Sequence, residues 1–197
     1  INGLNQGNRN ASDGIALAQT AEAGLDEISG MLQKIRTLAV QATNGTNTLA
    51  DKQALSKEAS SLATEITRIA KQTTFAGKTI LNGKQTNSID PVAGGQNPPG
   101  GAAGGAGTTQ SLTLQVGSNK GDTISFNLVN FQFSAAAKAA GIAENEFIAA
   151  GGAGADKGFV KGADDAITVN LSGASANIIG FMDQMIGYVD GQRADLG

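Results

Sequence analysis

From Leu4 to Ala42 the apolar positions recur at heptad spacing in two offset registers. One holds Leu4, Ala11, Ala18, Leu25, Leu32 and Ala39; the other holds Gly7, Gly14, Ala21, Ile28, Ile35 and Ala42. Steps of three and four place both registers on one helical face, which predicts a long helix packed lengthwise against partner helices. Small residues dominate the first half of this seam and bulky ones the second. Close backbone approach is expected early and fuller side-chain packing later. Asn44-Gly45 marks the stop, because both residues tolerate the left-handed conformation of a C-terminal cap. A second helix is predicted from near Asp51 to Gln72, capped by Thr48 or Asp51, with Leu55, Ala59, Leu62, Ile66 and Ile69 as its seam. The short connection favours an antiparallel pair.

The pattern then changes. Phe75 to Gly83 carries apolar residues and ends in the turn signal Asn82-Gly83. Ala93 to Gly107 is almost entirely Gly, Ala and Pro, and reads as a loop with too little side chain to build a core. Leu112, Leu114 and Val116 alternate with polar residues, as do Ile124, Phe126 and Leu128, so the stretch from Gly117 to Asp122 is the turn of a β-hairpin. Ala135 to Ala150 suggests a short helix, Gly151 to Gly158 a second loop, and Ile167, Val169 and Leu171 one more strand. Heptads return with Ile178, Met182, Met185, Val189 and Leu196, after a cap at Ser172 or Ser175.

Three apolar seams predict a mainly α protein: an elongated antiparallel helical bundle formed by an N-terminal helix pair and a C-terminal helix. A small β appendage, with hairpin and Gly-rich loops, projects between them. The divisions are residues 1–75, 76–171 and 172–197. The predicted bundle core is Leu25, Ile28, Leu32, Ile35, Leu55, Leu62, Ile66, Ile69, Met182, Met185 and Val189; the two methionines read as packing residues rather than a cofactor box. The start at Ile1 and the stop at Gly197, inside an unfinished helix, read as a fragment of a longer protein.

Composition narrows the chemistry. The 197 residues contain no Cys and no His, which excludes thiol nucleophiles, disulfides, zinc sites built on those residues and the usual base near neutral pH. A net charge of −3 offers no field for nucleic acid or an anionic membrane, and no apolar run approaches the roughly 20 residues that span a bilayer. Seven Phe, one Tyr and no Trp leave few aromatics for a globular core. Asp164-Asp165, and Asp190 with Asp195, read as surface or capping carboxylates, since no calcium-loop spacing surrounds them. Gly100 to Gly107 and Gly151 to Gly154 lack the Gly-Lys-Ser/Thr ending of a phosphate loop. Asn10-Ala11-Ser12, Asn44-Gly45-Thr46 and Asn170-Leu171-Ser172 fit the glycosylation sequon, a pattern common by chance. No catalytic, cofactor or metal site is predicted.

Five ordered blocks resemble bacterial flagellin. Asn8-Arg9-Asn10-Ala11-Ser12-Asp13-Gly14-Ile15 with Ala18-Gln19-Thr20-Ala21-Glu22 is similar to the family's first block. The run from Leu32 to Asn47 resembles its most recognisable stretch. Glu65-Ile66-Thr67-Arg68-Ile69 with Gln72-Thr73-Thr74-Phe75-Ala76-Gly77 is similar to the end of the second helix and the turn beyond. Leu114-Gln115-Val116-Gly117 resembles the hairpin start, and Val189 to Gly197 the C-terminal helix. From Ala93 to Asp165 little beyond the hairpin is family-like.

The resemblance implies a self-assembling structural subunit of the extracellular flagellar filament, secreted, with an export chaperone and the filament cap as further partners, and without enzymatic activity. It also implies that the segments forming the innermost layer of the tube are missing here, and that any outer domain is small. Recognition by an innate-immune Toll-like receptor is implied at Gln33, Lys34, Arg36, Leu38 and Glu58. Lys34 stands where many members carry Arg, and Thr37 where an acidic residue is common. Weakened recognition is therefore expected, because Lys cannot make Arg's planar bidentate contact. The rival readings are a flagellar hook–filament junction protein and, more distantly, a secreted adhesin.

Overall fold

The computed structural model describes residues 2–82, 110–115, 121–128, 130–149, 157–162 and 167–196. The first Gly-rich stretch, residues 151–156 of the second, Asp164-Asp165, Val116 and the hairpin turn from Gly117 to Lys120 lie outside these residues; Gly158, read above as the end of the second loop, is buried and accepts from Asn170 N–H. Four helices carry the fold: α1 (Asn2–Ala42), α2 (Leu49–Gln72), α3 (Phe133–Ala139) and α4 (Ser175–Leu196). At about 1.5 Å per residue, the 41 residues of α1 form a rod roughly 60 Å long. No helix among the described residues is long and apolar enough to cross a membrane.

The buried face of α1 is Gly7, Gly14, Leu17, Ala21, Gly24, Leu25, Ile28, Ser29, Leu32, Ile35, Leu38, Ala39 and Ala42. Ala11 and Ala18, which the heptad count placed on the seam, are only half-buried, while Leu17 is covered. A straight helix turns 3.6 residues per turn, so a strict seven-residue count drifts off the contact line over six heptads. A tight approach occurs at Gly24, in the second half of α1, where a Cβ would sit 2.8 Å from Leu81 Cδ1, a side chain rather than a helix backbone. The end of α1 departs from the left-handed cap expected at Asn44-Gly45, since Gly45 is not among the described positive-φ residues. Instead the helix tightens. Thr43 N–H donates to both Ala39 O and Val40 O at 3.2 Å, and Asn44 N–H to Gln41 O at 3.1 Å.

Thr48 starts α2 through a capping box: Asp51 N–H donates to its hydroxyl, and Thr48 N–H donates to the Asp51 carboxylate, both at 3.1 Å. The buried face of α2 is Ala59, Ala63, Ile66, Thr67, Ile69 and Ala70. Leu55 and Leu62, predicted as core, are half-buried at its edge. In α4, Ile178, Met182, Met185 and Val189 are buried. Ser175 is the first residue of α4 rather than its cap, a position held by Ala174.

α1 lies between the other two long helices, packing along both α2 and α4. Its antiparallel register with α4 is visible in three polar contacts: Arg36 meets Asp183 at 2.7 Å, Ser29 meets Asp190 at 3.4 Å, and Asp26 meets Arg193 at 3.3 Å. The side left open between α2 and α4 is filled by α3 and a small sheet. α3 is shorter than the helix expected over Ala135 to Ala150. It ends in a Schellman motif, with Gly141 at φ 102, Gly141 N–H donating to Lys138 O and Ile142 N–H to Ala137 O. Buried Ile142 supplies the accompanying apolar contact.

Strands β1 (Thr74–Phe75) and β2 (Lys78–Thr79) form a two-residue hairpin whose turn, Ala76-Gly77, has positive φ at both positions, as a type I′ turn requires. Strands β3 (Gln110–Gln115) and β4 (Thr123–Leu128) pair antiparallel with Leu112 opposite Phe126 and Leu114 opposite Ile124, the hairpin that the alternation predicted. A three-stranded sheet follows, in the order β5 (Phe147–Ala149), β6 (Phe159–Lys161), β7 (Ile167–Val169). Its first pair is parallel and its second antiparallel. β5 and β6 were not expected, because three-residue strands carry too few positions for a period to register.

Despite their small number, the aromatics do build a core. Phe159 stacks on Phe147 at 4.7 Å between centroids and meets Phe133 edge-on at 5.4 Å and Phe181 at 5.8 Å. Phe131 contacts Tyr188 at 6.0 Å. One cluster thus joins α3, the sheet and α4.

Candidate functional site

The surface between α1 and α2 forms an open groove of about 570 Å³ lined by Gly30, Gln33, Lys34, Thr37, Leu38, Glu58 and Leu62. At Glu58 it continues into a second hollow lined by Gln41, Asn44, Asn47, Asp51, Ala54 and Leu55. The groove is open at Gly30, where a Cβ would meet nothing within 4 Å. Of the five residues singled out in the sequence, Gln33, Lys34, Leu38 and Glu58 line this groove together. Gln33, Lys34 and Glu58 are exposed, whereas Leu38 is 8% exposed and belongs mainly to the core.

Arg36 lies elsewhere. It is two residues from both Lys34 and Leu38, roughly 200° around a helix of 3.6 residues per turn, and so faces α4. There its Nε donates to Asp183 Oδ1 at 2.7 Å. Below that pair, Arg193 approaches both Asp26 and Asp190, at 3.3 and 3.5 Å. Asp190 therefore serves the helix interface, and no group of three or more Asp and Glu among the described residues could hold a metal.

Chemically the groove offers amides, one ammonium group and carboxylates. Asp51 is already engaged by Thr48 N–H. Such a surface can hydrogen-bond a protein partner over an extended area, while its leucines supply apolar contact at the edge. Sequence reading missed the exposed apolar residues Ile15, Val40 and Leu49; the last two flank the α1–α2 connection. Helical periodicity could have flagged Ile15 and Val40 as lying off the seam.

A second set of side chains holds the frame behind the groove. Ser56 and Ser60 accept hydrogen bonds from Leu171 N–H and Val169 N–H, each at 2.8 Å, and Thr67 accepts from Phe133 N–H at 3.2 Å. Alternate N–H groups of β7 point away from β6, and the α2 hydroxyls occupy that free edge. Thr67 supplies one of the acceptors that the first turn of α3 lacks.

A sequence model described as bacterial flagellin N-terminal helical region matches residues 1–86. Flagellin 1 of Proteus mirabilis is 39% identical over 128 residues, covering 65% of this chain and 28% of that protein. B-type flagellin of Pseudomonas aeruginosa is 42% identical over 135 residues, covering 68% of this chain and 23% of that protein. Flagellin A of Vibrio cholerae is 30% identical over 252 aligned residues, covering 99% of this chain and 66% of that protein. The chain thus spans about a quarter of the first two relatives. Among solved structures, Bacillus cereus flagellin shares the fold, with a TM-score of 0.64 at 24% identity over 96% of this chain and 81% of that one. The ordered blocks, the antiparallel α1–α4 frame and these matches agree: the chain belongs to the bacterial flagellin family.

Proposed function

We propose that this chain is the rod-shaped part of a structural subunit of the bacterial flagellar filament, packing against other flagellin subunits outside the cell. The observation that carries the reading is that the flagellin match runs the length of the chain: the alignment with Vibrio cholerae flagellin A covers 99% of it. In this role residues 1–75 and 172–197 supply the bundle and residues 76–171 the variable side structure. Binding energy is spread over the long helical flanks, where Ile15, Val40 and Leu49 are exposed, rather than gathered in one site. An export chaperone and the filament cap act on the subunit before it is locked in place.

Immunogold electron microscopy of the source cells, with antibodies raised against this chain, tests the assignment. Gold along the whole filament supports it. Gold confined to the hook junction favours the junction protein, and label on the cell body beside bare filaments overturns it.

Within the same reading, the α1–α2 groove is the surface that an innate-immune Toll-like receptor meets, through Gln33, Lys34 and Glu58. In a receptor reporter assay, Lys34→Ala and Glu58→Ala are expected to lower the response more than Arg36→Ala, whose side chain faces α4. No response to this chain while a reference flagellin responds removes the receptor assignment.

A further inference from the structure

The connection between α1 and α2 contains a reactive pair that neither the core nor the subunit role uses. Asn44 and Gly45 are both exposed. Asn44 Oδ1 accepts two hydrogen bonds from Thr46, one from its N–H at 3.1 Å and one from its hydroxyl at 3.0 Å. Among the described residues the Gly45 N–H has no hydrogen-bond partner. A Cβ on Gly45 would meet nothing within 4 Å beyond its chain neighbours, so no other segment packs on this residue. The backbone on either side is held, with Asn44 N–H donating to Gln41 O and Asn47 N–H to Asn44 O, both at 3.1 Å.

We propose that Asn44 is a site of self-catalysed deamidation in the folded protein. The Gly45 nitrogen gives its proton to solvent and attacks Asn44 Cγ. As the new C–N bond forms, charge moves onto Oδ1, where the two Thr46 donors stabilise it in the manner of an oxyanion hole. Collapse of this intermediate breaks the Cγ–Nδ2 bond. The nitrogen takes up a proton and leaves as ammonia, and a five-membered succinimide remains. Water then opens the ring at either carbonyl, giving aspartate or isoaspartate. No oxidant or cofactor enters the balance.

Either product adds a negative charge to a hollow that already contains Asp51 and Glu58. The isoaspartate also lengthens the main chain between α1 and α2 by one methylene. Asn82, which also precedes a glycine in the sequence, is held differently. It is half-buried, its Oδ1 accepts from Gln132 Nε2, and its backbone bridges Asn130. Ring closure there must turn the half-buried Asn82 backbone and so first break its bridge to Asn130.

The test is to incubate the purified chain at mildly alkaline pH and map peptides by mass spectrometry with isoaspartate-specific labelling. Residues 40–50 as a free peptide provide the reference rate. The expected result is aspartate and isoaspartate at position 44 accumulating at least as fast in the folded chain as in the peptide, with Asn82 intact. Thr46→Ala is expected to slow the folded chain about tenfold or more, in the direction seen when an oxyanion-hole donor is removed, and to leave the peptide unchanged. Gly45→Ala, which meets no neighbour, should slow both without moving Tm; should it fail to fold, the Thr46 comparison still decides. Slower conversion in the folded chain than in the peptide, or a Thr46→Ala rate equal to the parent's, overturns the proposal.

Discussion

Replacing Ser60 by Ala tests whether a helix hydroxyl seals the edge of β7. The Ser60 side chain accepts the Val169 N–H at 2.8 Å, and Val169 is fully buried, so water cannot take over the bond. Leaving that donor orphaned costs about 1–3 kcal/mol. Against this, alanine gains about 0.5 kcal/mol of helix propensity over serine. The net loss is then about 0.5–2.5 kcal/mol. At roughly 2–4 °C per kcal/mol for a chain of this size, Tm falls by about 1–10 °C. Ser61→Ala is the matched control, because Ser61 is exposed and bonds only to Lys57 O in its own helix; it should leave stability unchanged or slightly raised. Urea unfolding with an unchanged m-value measures both variants, and hydrogen exchange reads the Val169 amide directly. Equal midpoints for the two variants, or undiminished protection of Val169 in Ser60→Ala, would refute the reasoning.

Leu32→Asp should unfold the bundle, since an unpaired carboxylate at a fully buried position costs several kcal/mol, on the order of the whole stability. Leu62→Asp should be much milder, because Leu62 sits half-buried at the groove, where a carboxylate can reach water; circular-dichroism melts of the pair decide. Ala76→Asn should stabilise the chain by about 0.5–1 kcal/mol, since asparagine tolerates the φ of 52° better than alanine and completes the preferred Asn-Gly turn. An unchanged or lower denaturation midpoint would contradict that reading of the turn. Tyr188 is the only tyrosine, and burial raises its pKa above the ordinary value near 10. Its stabilising contribution is therefore complete below the unfolded pKa and is lost as pH rises through the folded one. Ultraviolet titration should show phenolate forming at higher pH in the native protein than in denaturant, and coincident curves would count against it.

Where residues report on their own helix, the pattern was readable. Ile28, Leu32 and Ile35 lie at steps of three and four, and all three are buried; Thr48 and Asp51 have the spacing of a capping box and form one. The groove was half-readable. Gln33, Lys34, Leu38 and Glu58 do converge, but helical geometry turns away Arg36, which the resemblance groups with them. Leu55 and Leu62 follow the same period as Ala59 and Ile66 but lie at the rim, because a seam defines a face and not how far a neighbour reaches across it.

By itself, then, the sequence determined the lengths of the long helices, which faces are apolar, the antiparallel hairpin and the absence of Cys and His chemistry. Each of these depends on local periods or on composition. Only the tertiary structure decided that α1 runs between α2 and α4 and that Phe133, Phe147, Phe159 and Phe181 gather from separated segments. It likewise decided that Ser56 and Ser60 serve as edge partners for residues more than a hundred positions away. Such contacts leave no period in the chain, because they depend on which surfaces meet once the helices are already formed.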